Sequence, residues 1–572
     1  MFARLSEPLR RSHGATATAA AAYAALTLVW FRPVWRHLST AVTPDAGDPW
    51  LCLYFLEWGY RRLGRGLNGV WSPPFFFPTR GALALSDHLL GPAVMTAPLR
   101  ALTGSEVLPY NLLVLTSFFL CALVTYFVCR RRGLTPLAAF AAGLVFAGAP
   151  FRWDQLSHLA ILLAQWVPLT VWAWDELLAT PSPRRAALFL GSYLLQVTGG
   201  TSLAYMVHLP LVVLAVLHLV ERGGALLSRR SLRVLAPTIL ASALAAAAVF
   251  VPYWQISHRL GMARQDEEIR SYGARATSFV LPSHRNLYVS QPWWEQFRHE
   301  ENVLFPGFVA TLLAPLGLLA PLAGRRAAAD DTAATAPPFS CWDRAQLATG
   351  VMAVALCFAG VYLPLAGVVP GLHGMRAPAR FFAIALLPIA WFAGRGVEVL
   401  RGSGAHRARG AAVALLVVAL AVESTPRRLE WVAVPTPATY PPVYHWLARQ
   451  RDVTAIVELP FTRTPAGEVP RMLYQTLHGK PLANGYSGYS PPSFTTLQAS
   501  LHWPLRAPEQ FNLLRWQGIS HVVVRGKGPD GRRRSPPVPL ALALVRGPGR
   551  QAELVYADPT NLVYRLLPPP GG

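Results

Sequence analysis

Lysine is nearly missing from this chain: among 52 basic residues only Lys480 and Lys527 are not arginine. Charged residues of all kinds make up 14% of the 572, against 53% hydrophobic, and that balance excludes both an ordinary soluble protein and a disordered one. Cysteine is scarce as well. Of the 5 present, Cys121, Cys129 and Cys357 fall inside apolar runs where a thiol behaves as a small hydrophobe, so neither a disulfide framework nor a metal motif emerges. Acidic residues number 29, which leaves a formal net charge of +23. An excess of that size would suit nucleic acid if it lined one amphipathic face. Here the arginines sit in short clusters between apolar runs, a pattern that sets membrane orientation and implies no nucleic-acid partner.

Apolar sequence is what the chain has in quantity, and many runs reach the roughly 20 residues that cross a ~30 Å hydrocarbon layer. The first, Ala15 to Phe31, follows Arg4, Arg10 and Arg11 and ends in Trp30 and Phe31 without a small-residue cleavage site, so it reads as a retained helix. Others follow at Leu108 to Val128, Leu134 to Ala149, Leu159 to Trp174, Ala186 to Gly200, Leu203 to Val220 and Val234 to Val251. Val303 to Leu322, Leu347 to Val369, Phe381 to Leu400 and Ala411 to Val422 bring the count to about eleven. Leu89 to Leu102, with Pro92 and Pro98, has the length of an interfacial piece. Keeping it on the outer side places Arg130 to Arg132, Arg184 with Arg185, Arg229 with Arg230, Arg325 with Arg326, and Arg395 through Arg409 on the inner side with Arg10 and Arg11. The expected topology therefore has the N-terminus inside and the C-terminus outside.

This parity gives a membrane domain over residues 1–425 with outer loops at 32–105 and 253–302, and an outer domain over residues 426–572. In the tail, Val453 to Leu459 and Ile519 to Arg525 read as strands, and Glu553 to Tyr556 with Leu562 to Leu566 as a hairpin around Asp558 and Pro559. The fold class expected is thus an α-helical polytopic membrane protein with a C-terminal α/β soluble domain. The inner loop Ala323 to Arg344 reads as a linker.

The first outer loop carries Asp45-Ala46-Gly47-Asp48-Pro49-Trp50, then Trp50, Tyr54 and Trp58 at helical spacing. Asp48 before Pro49 suits an N-cap for a helix from Pro49 to Arg62 lying in the headgroup plane with its aromatics as anchors. Asp45 or Asp48 also suits a general base toward an acceptor hydroxyl, and the positive helix end that stabilises an ionised Asp48 weakens it as a base, which keeps Asp45 in contention. Elsewhere on the outer side stand Ser86-Asp87-His88, Arg152 with Gln155 and His158 at spacings of three, Arg376 with Arg380, and Asn484-Gly485-Tyr486-Ser487-Gly488. Together these motifs resemble the GT-C superfamily of membrane glycosyltransferases, and more narrowly a bacterial GT-C-like group. In place of the adjacent acidic pair usual there, this chain has Asp-Ala-Gly-Asp.

The resemblance implies a bacterial inner-membrane enzyme that transfers a sugar from a polyprenyl-phosphate donor to a glycan, lipid or protein acceptor, with inversion and Asp45 or Asp48 as base. It implies that Arg376 and Arg380 neutralise the departing phosphate through bidentate guanidinium contacts, with Arg152, Gln155 and His158 holding phosphate or sugar hydroxyls. Asp87 and His88 would position the acceptor, and Asn484 with Tyr486 would contact sugar from a loop. Each has a plainer reading beside it: arginines snorkelling or binding anionic lipid, a hydrogen-bonded histidine, a tight turn. No cofactor is named by the sequence, and a divalent metal is left open at Asp266, Glu267 and Glu268. The alternative function is a non-enzymatic binder or flippase of lipid-linked glycan, for which the mid-span polar residues are Gln165, Gln196 and His208.

Overall fold

The computed structural model describes residues 2–287, 301–327, 339–402, 407–462, 464–501, 504–526, 539–540, 542–546 and 549–569. Much of the linker and of the second outer loop, residues 328–338 and 288–300, and part of the Arg395 to Arg409 cluster lie outside them. The chain folds as two compact units: Met1–Arg36 with Leu112–Phe250 and Ala263–Leu429, and His37–Asn111 with Val251–Met262 and Glu430–Gly572.

Among the described residues, five helical segments are long and apolar enough to cross a membrane: Val107–Arg131, Pro136–Asp154, Thr201–Leu226, Arg229–Leu260 and Pro378–Arg401. A sixth is counted if Cys341–Cys357 and Ala359–Ala366, bent by 93° at Phe358, are taken as one span. Gly14–Trp30 and Phe308–Leu319 are shorter apolar helices. The expected continuous run Leu159 to Trp174 is broken instead into Leu159–Leu162 and Val167–Ala179. Pro168 explains the break, because a prolyl ring has no N–H to donate and crowds the carbonyl four residues earlier, so the helix restarts with the proline in its first turn.

Within the first unit, the helices Phe308–Ala327 and Phe382–Arg401 meet backbone to backbone. A Cβ on Gly317 would lie 1.9 Å from the Phe392 carbonyl oxygen, and one on Gly396 would lie 2.1 Å from that of Leu313, so this crossing depends on both glycines. The buried Asp343 ties the helix Cys341–Cys357 to the same partner, accepting from Trp391 Nε1 at 2.9 Å and from Arg395 Nη1 at 2.7 Å.

The second unit carries a four-stranded sheet of order β3-β4-β6-β5, in which β3 is Ile456–Leu459, β4 His521–Arg525, β5 Ala552–Asp558 and β6 Asn561–Leu566. β3 and β4 run parallel and the other neighbours antiparallel. Both faces are covered: Val457, Leu459, Val522 and Val524 enter one apolar core, Ile456 and Val523 the other. Burial on both sides is why β3 and β4 read as largely apolar runs. The expected hairpin is present, with Asp558 opposite Asn561 and its Oδ1 accepting from the backbone N–H groups of Thr560 and Asn561 at 2.7 and 2.8 Å.

Residues 37–111, most of the expected first outer loop, belong to this unit. Its two-residue strand β1, Ala41–Val42, pairs antiparallel with β2, Val432–Ala433. Phe76 and Phe77 donate backbone N–H groups to the carbonyls of Asn484 and Leu482 at 3.1 and 3.0 Å, and Leu482 donates back to Pro74 at 2.8 Å. The helix Asp48–Leu63 buries Trp50 and Tyr54, and the Tyr54 hydroxyl donates to Gln475 Oε1 at 3.1 Å. Trp58 Nε1 donates to the Val70 carbonyl at 2.7 Å. These aromatics therefore pack into protein, where the sequence reading had them anchoring headgroups: Tyr54 lies edge-on to Phe55 and Phe75 and reaches Gln475 in the tail, a pairing that periodicity does not reveal. The helix Leu90–Thr103 crosses close to it, Ala93 lying against Gly59, and Glu57 bridges the pair by accepting from Arg61 Nε and Arg100 Nε, each at 2.7 Å.

Candidate functional site

In the first unit, the short helix Pro150–Asp154 buries Arg152, whose Nε donates to the Ala147 carbonyl at 3.1 Å and whose Nη2 donates to the Leu162 carbonyl at 3.1 Å and to Ser117 Oγ at 3.3 Å. Its guanidinium also lies over the Phe118 ring, 4.6 Å from the centroid. These bonds stitch the turn on either side of Arg152 together. Gln155 follows, buried, with Oε1 making no hydrogen bond among the described residues.

His158, Arg376 and Arg380 converge on a carboxylate that sequence reasoning did not single out, Glu301. Arg380 grips it through two parallel bonds, Nε to Oε2 at 2.5 Å and Nη2 to Oε1 at 2.6 Å. His158 Nε2 stands 3.8 Å from Oε1. Arg376 lies over the Tyr272 ring at 4.9 Å and acts on Glu301 through its charge. Burial alone pushes the Glu301 carboxyl up, yet the positive groups of Arg380, His158 and Arg376 together with the Arg380 hydrogen bonds outweigh it and hold the pKa at about 2. Glu301 has φ +56°, a left-handed conformation uncommon for a residue with a side chain. The guanidinium fork fits carboxylate and phosphate oxygens alike, and that of Arg380 is filled here by Glu301. Position alone offered a signal for Glu301: it closes the second outer loop, on the same expected side as Arg376 and Arg380.

The remaining candidates stand in the second unit. Asp45 is half-buried, and its Oδ1 accepts from the Gly47 N–H at 2.7 Å. Asp48, also half-buried, is the first residue of the helix Asp48–Leu63, and Gly47 occupies the capping position that the sequence reading gave to Asp48. A carboxylate in the first helical turn is favoured in its ionised form by the helix dipole. The Tyr110 side chain, buried and without a hydrogen-bond partner among the described residues for its hydroxyl, feels the charges of both aspartates.

Asp87 is half-buried and His88 buried, its ring edge-on to Trp71 and Tyr253 with centroids 6.1 and 6.3 Å away. The Tyr253 hydroxyl closes this corner by donating to the Ser86 carbonyl at 2.7 Å. Asn484 is fully buried: Oδ1 accepts from the Glu458 N–H at 2.7 Å, and Nδ2 donates to the Glu458 carbonyl at 3.0 Å and to Glu468 Oε2 at 3.2 Å. Its carboxamide thus fixes the loop to β3, and the half-buried Tyr486 is the member of that motif nearer solvent. Behind it lies a buried charge network. Arg471 Nη1 donates to Glu468 Oε1 and to the Glu458 carbonyl, both at 3.0 Å, and Arg525 Nη1 stands 3.5 Å from Glu458 Oε2.

No protein-family model matches the chain, and no curated protein is similar to it. Among solved structures, the arabinofuranosyltransferase AftD from Mycobacteria aligns over 96% of this chain with a TM-score of 0.57 at 17% identity. This chain spans only 41% of the length of AftD. The oligosaccharyltransferase of Archaeoglobus fulgidus aligns at 10% identity over 89% of this chain and 69% of its own, and ArnT from Cupriavidus metallidurans at 12% over 97% and 98%. Their TM-scores of 0.49 and 0.37 are too low to carry weight. The alignment to AftD along nearly the whole of this chain gives it the fold of that arabinofuranosyltransferase.

Proposed function

We propose that the chain transfers a sugar from a polyprenyl-phosphate donor to an extracytoplasmic acceptor, inverting the anomeric carbon. The observation that carries this reading is the cluster around Glu301, where the Arg380 fork grips one carboxylate with Arg376 and His158 close by. A phosphate ester suits the guanidinium fork as that carboxylate does. In the reaction, Asp45 or Asp48 accepts the proton of the acceptor hydroxyl as its oxygen bonds to the anomeric carbon. The bond from that carbon to the phosphate oxygen breaks, and the leaving polyprenyl phosphate keeps its electron pair, stabilised by Arg376 and Arg380. A single displacement of this kind inverts the centre. About eleven spans, with the N-terminus cytoplasmic and the tail periplasmic, belong to the same proposal, as do Asp87, His88, Arg152, Gln155 and Tyr486 as residues that position donor or acceptor.

The test is transfer in proteoliposomes supplied with a polyprenyl-phosphate sugar, using Asp45→Asn and Asp48→Asn singly and together, with thermal unfolding as a check on folding. The double variant is expected to be inactive while still folded, and Arg376→Ala is expected to raise the donor KM. Turnover that survives in the double variant would refute the aspartate assignment.

A further inference from the structure

Asp175, His218 and Cys341 come from three separate helices, Val167–Ala179, His208–Leu226 and Cys341–Cys357, the second of which packs against both others. Their ligand atoms all lie within 4.8 Å of one another. Asp175 and His218 are buried, and His218 Nε2 is 2.7 Å from Asp175 Oδ1. The other ring nitrogen, Nδ1, is buried with no hydrogen-bond partner among the described residues. Cys341 is only half-buried, which leaves the cluster reachable from outside the helices. Glu221, ion-paired with Arg344, hydrogen-bonds with the Cys341 thiol and brings a further carboxylate.

An ordinary ion-pair cluster accounts for Asp175, which also pairs with Arg132. It does not account for a thiol from a third helix whose sulfur lies within 4.8 Å of both the carboxylate and the imidazole. Thiolate sulfur, imidazole nitrogen and carboxylate oxygen are together the donor set of a borderline-soft divalent ion, zinc above all.

We propose that Asp175, His218 and Cys341 bind zinc, with Glu221 as the fourth ligand, and that the ion clamps the three helices together. Tetrahedral zinc with bonds of about 2.0–2.3 Å sets its ligands about 3.3–3.7 Å apart, so the His218–Asp175 pair opens from 2.7 Å while any wider separation, none above 4.8 Å, closes. Cys341 gives up its thiol proton to solvent as the Zn–S bond forms, and the hydrogen bond between His218 and Asp175 is exchanged for bonds to the metal. Arg132 remains on Asp175 as the outer donor that orients the carboxylate. None of these residues is among those assigned to sugar transfer, so the site stands or falls independently of that reading.

The experiment is metal binding to the purified full chain in detergent micelles, with zinc content measured after dialysis and cobalt as the optical probe. Wild type is expected to retain one zinc per chain and, with cobalt, to show a near-ultraviolet sulfur-to-metal charge-transfer band. Cys341→Ser should abolish the band, weaken zinc binding roughly tenfold or more, and remove the zinc-dependent rise in thermal midpoint. His218→Ala should weaken binding likewise, while Cys52→Ser leaves both signals intact. If His218→Ala fails to fold, the half-exposed Cys341→Ser carries the test alone. A charge-transfer band that persists in Cys341→Ser, or a wild-type chain that retains well under one zinc, would overturn the proposal.

Discussion

Replacing Glu301 with glutamine probes its buried ion pair with Arg380. The carboxyl is held at about 2 against an ordinary 4.5, and Glu301 and Arg380 are 8% and 15% exposed, so solvent screens the pair only weakly. At 1.36 kcal/mol per pH unit the displacement is worth about 3 kcal/mol to the folded state. Because the folded pKa lies below the unfolded one, that stabilisation is fully present above about pH 5 and is lost as the pH falls toward 2, with about 2 kcal/mol of it gone by pH 3. Glu301→Gln keeps the shape and removes the ionisation. Unfolding of the detergent-solubilised chain should therefore show wild type more stable than the variant by about 3 kcal/mol at pH 6 and by about 1 kcal/mol at pH 3. The comparison isolates Glu301 because every other carboxylate titrates in both proteins. A gap of the same size at both pH values would refute the reasoning, since it would mean that the pair contributes through packing and neutral hydrogen bonds alone.

Two further outcomes follow from the second unit. Asn484→Ala strands the Glu458 N–H in a buried place, and is expected to cost about 1–3 kcal/mol in chemical unfolding; Asn484→Asp should cost more, because it sets a second carboxylate against Glu468. Gly485→Ala places a Cβ 2.8 Å from both Phe75 and Phe76, and should lower stability by about 1–3 kcal/mol, read as a reduced thermal midpoint, with the loss eased in a Phe76→Leu background.

Hydropathy revealed several apolar helices and the strands of the tail, because both are rich enough in apolar side chains to leave recognisable runs, while the expected eleven spans stand against five or six among the described residues. It missed breaks imposed by local geometry, as at Pro168 and Phe358, where composition stays apolar while the backbone turns. Arginine clusters were legible as such, and Arg376, Arg380 and His158 do gather in one place. Their partner Glu301 was hidden, since one acid in a long polar loop looks like any other until the chain brings it to the arginines. Asn484 illustrates the opposite case: a motif rich in glycine, tyrosine and asparagine suggests ligand contact, yet its amide is consumed in holding the loop to a strand. Asp45 and Asp48 were legible as a pair on one turn, but the cap between them is Gly47.

The strand-like pairing of residues 74–77 with residues 482–484 has a genetic corollary. Segments some four hundred positions apart close a single folding unit, so neither can be inherited alone. A recombination that exchanged the tail would bring in a surface shaped for somebody else's Phe75 and Phe76, and a deletion of it would strip the first loop of the backbone it hydrogen-bonds. Drift in one stretch should be answered by drift in the other, and grafts between homologues ought to succeed only when both travel together.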